Sequence, residues 1–235
     1  MTSLPYFYIQ SIDPLQTEFI LDENTSKHVV QVLRMKKEDA LRLTDGKGNL
    51  LTTTIVDDYK KKCIVKKKEV HHVDQDLKKV TVAISLLKNG SRFEWFLEKA
   101  TEIGIAEIIP LICERTEKQH FRFERMINIL ISAMLQSQQT WLPLLHEPVD
   151  LKNAVKGSQH DCKFIAHCIP GNKTNLATLG GEKPASQIIL IGPEGDFTDE
   201  EIQLALQSNF TAVALGETRL RTETAALVGA TILKF

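Results

Sequence analysis

The sequence predicts an α/β protein in two parts, a small N-terminal β-barrel followed by a mostly parallel sheet with helices on both faces. Three observations predict it. Residues 1–72 read as short strands broken by turn residues. From residue 73 on, apolar strand runs alternate with amphipathic helical stretches. A length of 235 residues at 43% hydrophobic is enough to bury two cores, which excludes disorder and collagen-like repetition.

In the first part, residues 40–44 alternate apolar and polar, Asp45-Gly46-Lys47-Gly48-Asn49 supplies turn chemistry, and residues 50–56 continue in Thr and β-branched side chains, a hairpin pattern. Residues 63–70 add a strand. Val29, Val32 and Leu33 recur at helical spacing after a cap at Thr25 or Ser26. The lysine runs 60–62 and 66–68 suit either a solvated, aggregation-resistant edge strand or a phosphate backbone.

In the second part, residues 80–86 form an apolar strand. Phe93, Phe96, Leu97, Ala100 and Ile103 then line one helical face that ends at Gly104. A strand over 105–112, a helix over 123–137, strands over 163–167 and 187–191, a helix opened by the capping box Thr198-Asp199-Glu200-Glu201, a strand over 212–215 and a final helix from Thr222 complete the alternation. In such sheets ligands sit at the carboxyl ends of strands. Two loops there concentrate glycine and charge: Gly192-Pro193-Glu194-Gly195-Asp196-Phe197 and Leu215-Gly216-Glu217-Thr218-Arg219-Leu220-Arg221-Thr222-Glu223-Thr224-Ala225.

The net charge of -1 excludes grip on a polyanion by bulk charge, although residues 1–72 carry +2 and the remainder -3. No apolar run approaches the roughly 18 residues of a membrane span, so a soluble, cytoplasmic chain is expected. Four scattered cysteines without CxxC spacing read as buried thiols and argue against a disulfide scaffold or zinc site. His71-His72 reads as a strand end, and no metal is expected. No GxGxxG opens the second part, Gly171-Asn172-Lys173-Thr174 has Asn where a phosphate loop needs its second Gly, and neither GxSxG nor HExxH occurs.

Three stretches together resemble one family. The segment 191–198 is similar to IGPEGGFS. Leu215-Gly216 with 220–225 is similar to LG...LRTETA. Glu94-Trp95 with 97–104 is similar to EW.LEKATELG, and His28, 32–34 and Glu38-Asp39 match more weakly. The chain thereby resembles the RsmE family within the SPOUT superfamily, bacterial methyltransferases of the small ribosomal subunit that act on N3 of a uridine in 16S rRNA. The resemblance implies a PUA-like barrel over 1–72, a SPOUT catalytic domain over 73–235 with a C-terminal trefoil knot, a homodimer, and S-adenosylmethionine as cofactor with S-adenosylhomocysteine as product.

Carried onto this chain, the resemblance places the cofactor against Ile191, Gly192, Glu194, Gly195, Leu215, Gly216, Leu220 and Thr222, with His167 as a further candidate. Arg221 would stabilise the uracil anion; Glu223 would be a base or merely complement its helix dipole. RNA would meet His28 and Arg34 on the barrel and Lys88, Arg92 and Lys99 on the catalytic domain. Trp95 is expected in the core more readily than as a stacking platform. Two departures stand out: Asp196 occupies a position where Gly is usual, one that Asp can fill because it tolerates left-handed conformations, and residues 135–139 keep Gln136 and Ser137 of an EQSGR-like segment but lose its Glu and Arg. Other readings of the same loops are a SPOUT enzyme acting on a ribose 2′-hydroxyl or another base, and a non-catalytic RNA-binding assembly factor.

Overall fold

The computed structural model describes residues 4–13, 15–179 and 186–235. The chain divides into two compact units, residues 1–75 with 134–142 and residues 76–133 with 143–235.

The first unit is a five-stranded sheet in the order β1-β3-β4-β5-β2. Its elements are β1 (Tyr6–Tyr8), β2 (Glu18–Ile20), α1 (Glu23–Lys27), a wide helical turn His28–Val32, β3 (Ala40–Thr44), β4 (Asn49–Asp57) and β5 (Ile64–His72). The β3–β4 hairpin closes where Asp45 accepts from Lys47 N at 2.9 Å and Asn49 Nδ2 at 2.8 Å. The inward residues of the alternating strands, among them Leu41, Leu43, Leu51, Ile55 and Val65, form one core with Phe7, Phe19, Leu21 and Val29.

Three details correct the sequence expectations here. The cap is Asp22, whose Oδ1 accepts from Asn24 N and Thr25 N at 2.9 and 3.0 Å; Ser26 is buried and instead bonds Leu21 O and Cys63 N. Of the expected helical face only Val29 enters the core, because the helix widens after Lys27 and leaves Val32 and Leu33 exposed. The lysine-bearing strand β5 has an edge only in its later half, since β2 pairs with Ile64 to Lys66. Residues 134–142 return to this unit: Leu142 N donates to Gly46 O at 2.9 Å and Trp141 Nε1 to Val73 O at 2.8 Å.

The second unit is an eight-stranded sheet, all of whose pairings are parallel, with the order β11-β13-β10-β12-β6-β7-β8 and β9 on β7. Along the chain run β6 (Lys79–Ser85), α2 (Gly90–Glu102), β7 (Glu107–Ile112), α3 (Phe123–Gln136), β8 (Leu144–Leu145), β9 (Val149–Asp150), α4 (Leu151–Gly157), β10 (Cys162–Ala166), β11 (Thr174–Asn175), a short helical turn Leu176–Leu179, β12 (Ser186–Ile191), α5 (Asp199–Gln207), β13 (Thr211–Ala214) and α6 (Thr222–Lys234). The central strands are buried on both faces, as a covered parallel sheet requires. One face packs Ile188, Leu190 and Ile165 against Leu151, Val155, Ile202 and Ala205 of α4 and α5, and α2 and α6 bury Phe93, Phe96, Leu97, Ala226, Ala230 and Leu233. Two expectations fail here. Trp95 is 41% exposed on α2, because it sits one residue off the stripe that faces the sheet. Only Cys63 and Cys113 are buried thiols; Cys162 is half-buried and Cys168 exposed, since each lies at or beyond an end of β10 rather than inside it.

Candidate active site

Three neighbouring strands, β13, β10 and β12, end side by side, and the loops leaving them enclose a cleft of about 650 Å³ together with the start of α6. Each loop is shaped locally. After β12, Gly192 is needed because a Cβ there would stand 3.1 Å from the ring of fully buried Phe197, which anchors the loop from below. Asp196 then turns the chain at φ +64°, and the capping box opens α5: Thr198 Oγ1 accepts from Glu201 N at 3.2 Å while Glu201 Oε2 accepts from Thr198 N at 2.8 Å. After β13, Gly216 takes φ +144°, a conformation other residues rarely adopt.

Of the residues singled out in the sequence, His167, Ile191, Gly192, Glu194, Leu215, Gly216, Leu220, Arg221 and Thr222 line the cleft, joined by Arg92 from α2. Gly195 stands behind the wall, where its carbonyl accepts from Arg115 Nη1 at 2.8 Å. Glu223 is buried beside the cleft, with Oε1 3.7 Å from Arg92 Nε and Oε2 without a hydrogen-bond partner. Lys88 and Lys99 do not line it. Lys88 pairs with Glu117 at 2.7 Å, and its amide donates to Glu194 Oε1 at 3.2 Å; Lys99 pairs with Glu98 at 2.7 Å and Glu102 at 2.9 Å. His28 and Arg34 are exposed in the first unit, Arg34 at φ +57°.

Several working residues show their part only in the structure. Arg115, eighty residues from Gly195 in the chain, holds the carbonyls of Gly195 and Phe197. Lys173, part of the stretch rejected as a phosphate loop, instead donates to His167 O at 2.9 Å and Ile169 O at 3.0 Å, closing the loop after β10 around its own ammonium. Asp196 Oδ2 accepts from Cys168 N at 2.7 Å and Oδ1 from Phe197 N at 2.9 Å, tying two cleft loops together.

The cleft carries four cations, Arg92, Lys173, Arg219 and Arg221, against Glu194, Asp196 and Glu217. Arg219 and Arg221 have no ion-pair partner among the described residues. Burial first, and Lys173 second, hold the His167 imidazole below its ordinary pKa, so it is neutral at pH 7, and its Nδ1 is buried without a partner. Apolar Ile191, Val213, Leu215, Leu220 and Ala225 fill the remaining wall. Arg221, the residue before α6, makes no side-chain cap, leaving the first amides of that helix free. The site therefore combines an apolar slot, an unpaired ring nitrogen, open helix amides and a cationic rim. Among the described residues no group of three His, Cys, Asp or Glu could hold a metal, and no helix is long and apolar enough to cross a membrane.

Residues 74–234 match the family described as RNA methyltransferase domain, and residues 21–68 the RNA methyltransferase PUA domain. The ribosomal RNA small subunit methyltransferase E of Buchnera aphidicola subsp. Acyrthosiphon pisum is 31% identical over 98% of this chain and 93% of its own; that of Rickettsia conorii is 29% identical over 85% and 82%. A Legionella pneumophila methyltransferase solved with bound cofactor SAM superposes with a TM-score of 0.88 at 30% identity, covering 99% of this chain and 97% of that one. A ribosomal RNA small subunit methyltransferase E of Neisseria gonorrhoeae bound to S-adenosyl methionine gives 0.86 at 29%, covering 97% and 96%.

Proposed function

The chain belongs to the ribosomal RNA small subunit methyltransferase E family, and from that premise we propose that it methylates N3 of a uridine in 16S rRNA of the small ribosomal subunit, using S-adenosylmethionine. The observation that carries this reading is the cleft where the loops after β10, β12 and β13 meet the open start of α6. Its residues fit the cofactor: Ile191, Leu215 and Leu220 offer apolar faces for an adenine ring, the backbone at Gly192 and Gly216 comes close, and the neutral His167 ring lines the same wall. The chemistry the cofactor supplies when bound is a sulfonium-activated methyl group, with S-adenosylhomocysteine as product.

What remains for the chain is alignment and charge. Uracil N3 carries a proton at neutral pH; its loss leaves an anion whose charge is shared by N3, O2 and O4, and the N3 electron pair then displaces sulfur at the methyl carbon, which discharges the anion. Arg221, exposed on the cleft wall and free of an acid partner among the described residues, is placed to receive that charge, and its forked guanidinium suits a planar oxygen acceptor. Holding the uracil in line with the methyl contributes independently of any base. Because Lys88 and Lys99 are paired with carboxylates and Arg92 faces Glu223, RNA grip falls chiefly to Arg34 and His28 on the first unit and to Arg219 and Arg221 at the cleft. The same family membership supports a homodimer, a knotted C-terminal segment and a cytoplasmic location.

Mass-spectrometric mapping tests the reading. Small-subunit particles from cells lacking the protein, incubated with it and S-adenosylmethionine, are expected to gain one methyl at a uridine N3. A methyl on a ribose hydroxyl, or none, overturns it.

A further inference from the structure

Glu223 is the second residue of α6 and only 7% exposed, yet one of its oxygens has no partner. A first-turn carboxylate complements a helix dipole equally well from solvent, so burial needs another reason. Burying a carboxylate oxygen without a hydrogen bond is costly, and the few such atoms in a native structure call for an explanation. Its Oε2 is buried and its Oε1 faces Arg92, so neither oxygen is turned to a uracil ring, and a role as the base that takes the N3 proton does not fit. The group it faces is Arg92, the third residue of α2, which lines the cleft and whose side chain is 39% exposed. Helices α2 and α6 pack against each other and each buries an apolar face, Phe93, Phe96 and Leu97 on one and Ala226, Ala230 and Leu233 on the other, so the two charged side chains are held on a fixed base. Their separation of 3.7 Å is beyond a hydrogen bond, whereas a charge-assisted contact closes to about 2.8 Å. Catalytic contacts are often this open without substrate and tighten in the reacting complex.

We propose that Glu223 is a positioning residue for Arg92, and that Arg92 is a second guanidinium, beside Arg221, that meets the uracil oxygens as N3 loses its proton. This rests on the methyltransferase reading above and changes the part Glu223 plays in it: the carboxylate acts through the arginine, and the proton goes to solvent. The spare oxygen, Oε2, is the acceptor onto which a second guanidinium N–H closes when substrate draws Arg92 into line.

The test is a double-mutant cycle on small-subunit particles with Glu223→Gln, Arg92→Ala and both together, measuring kcat, KM for the particle, cofactor affinity by calorimetry and the melting temperature. Removal of one donor to a developing oxyanion lowers turnover by about 100-fold, so Arg92→Ala is expected to show that loss and Glu223→Gln about 10-fold, with the double variant no worse than Arg92→Ala. KM and cofactor affinity are expected within about 2-fold of wild type, and the melting temperature of Glu223→Gln no lower than wild type, as for a residue whose burial serves function rather than stability. Losses that multiply in the double variant overturn the proposal, because Glu223 then acts on its own; so does a Glu223→Gln loss that follows a fall in melting temperature. Should Glu223→Gln fail to fold, Arg92→Lys decides, since it keeps the charge and loses the fork: full turnover overturns the proposal, and an intermediate loss supports it. Wild-type protein that binds the cofactor but transfers no methyl overturns the underlying reading too, a result separate from any difference among the variants.

Discussion

Asp196→Gly sets two effects of known sign against each other. The wild-type residue sits at φ +64°, a left-handed conformation that costs a non-glycine residue about 1 kcal/mol, somewhat less for Asp. Glycine removes that strain. It also deletes the carboxylate that receives Cys168 N at 2.7 Å and Phe197 N at 2.9 Å. Hydrogen bonds to a charged acceptor are worth about 1.5–3 kcal/mol, and the lower end applies because Asp196 is half-buried and Cys168 exposed. Glycine further gains freedom in the unfolded chain, worth about 0.5–1 kcal/mol. Counting only the bond to Cys168 N, because Phe197 N is the adjacent amide and turns to water when the carboxylate is lost, the tether outweighs the strain, and Asp196→Gly is expected to lose about 1 kcal/mol in urea unfolding, with Asp196→Asn losing less because Asn keeps one acceptor and tolerates the same backbone. The lost bond joins the loop after β10 to the loop after β12, both of which line the cleft, so cofactor binding must reorder what the tether held in place. About 1 kcal/mol corresponds to roughly 5-fold weaker binding by calorimetry. A glycine variant as stable as wild type, with unchanged cofactor affinity, would show that strain governs this position and refute the reasoning.

Gly192→Ala brings a methyl to 3.1 Å from the Phe197 ring; overpacking of this kind costs about 1–3 kcal/mol, and cofactor affinity measured by calorimetry is expected to fall at least as far as in Asp196→Gly. Phe197→Ala empties a fully buried site and should destabilise the chain by about 3–5 kcal/mol in urea unfolding. Burial, with Lys163 adding to it, holds His160 below its usual pKa against the opposing pull of Glu107 and Asp161; the unfolded state then takes up a proton before the folded state does. Stability is therefore lost as pH falls from 6.5 towards the folded pKa, and His160→Gln should flatten the difference between urea curves at pH 7.5 and 5.5. Burial pushes the Cys63 thiol up to about 11 and Cys113 to about 12, so alkylation at pH 7.5 followed by peptide mass spectrometry should label exposed Cys168 first, and S-adenosylmethionine should slow that labelling because Cys168 lines the cleft.

Most of the second unit was legible because its signals are local. Continuous apolar runs such as Ile188 to Ile191 leave no solvent face and imply a covered strand; Gly104 at φ +76° ends α2 where the pattern stops. Where the reading missed, a long-range partner decided. Ser26 looked like a cap but is buried because Leu21 O and Cys63 N, the latter thirty-seven residues away, compete for its hydroxyl. Trp95 has core composition and a solvent position, since burial on a helix follows angle and not side-chain type. Arg115 became a site residue only when strands distant in sequence ended next to each other. The motif loops marked where the cleft lies; which cations were free to act depended on carboxylates, Glu98 and Glu102 beside Lys99 on α2, a pairing that helix spacing allows, and Glu117 on Lys88, a partner distant in the chain that no spacing rule reveals.

The two ends of the parallel sheet treat polar groups in opposite ways. At the amino ends, Thr81 donates to Glu107 at 3.1 Å, Glu107 meets His146, His160 bridges Thr81 and Ser158 at 2.9 and 3.1 Å, and Asp161 receives Ser186 N and Oγ at 2.8 Å. A network this well satisfied fixes strand register and leaves nothing for a ligand. At the carboxyl ends the balance reverses. Three buried side-chain atoms among the described residues have no hydrogen-bond partner: Arg42 Nε in the first unit, and His167 Nδ1 and Glu223 Oε2, both at or beside the cleft. An unsatisfied buried polar atom costs about 1–3 kcal/mol, so a sequence shaped for stability alone would pair or replace both. Their persistence where the loops are also most charged is what a site held ready for a cofactor and a polar base requires. It also predicts where stability can be gained: substitutions that satisfy these two atoms from within the protein should raise the melting temperature and lower methyl transfer together, while equally conservative changes in the Thr81–His160 network should lower the melting temperature and leave cofactor affinity unchanged.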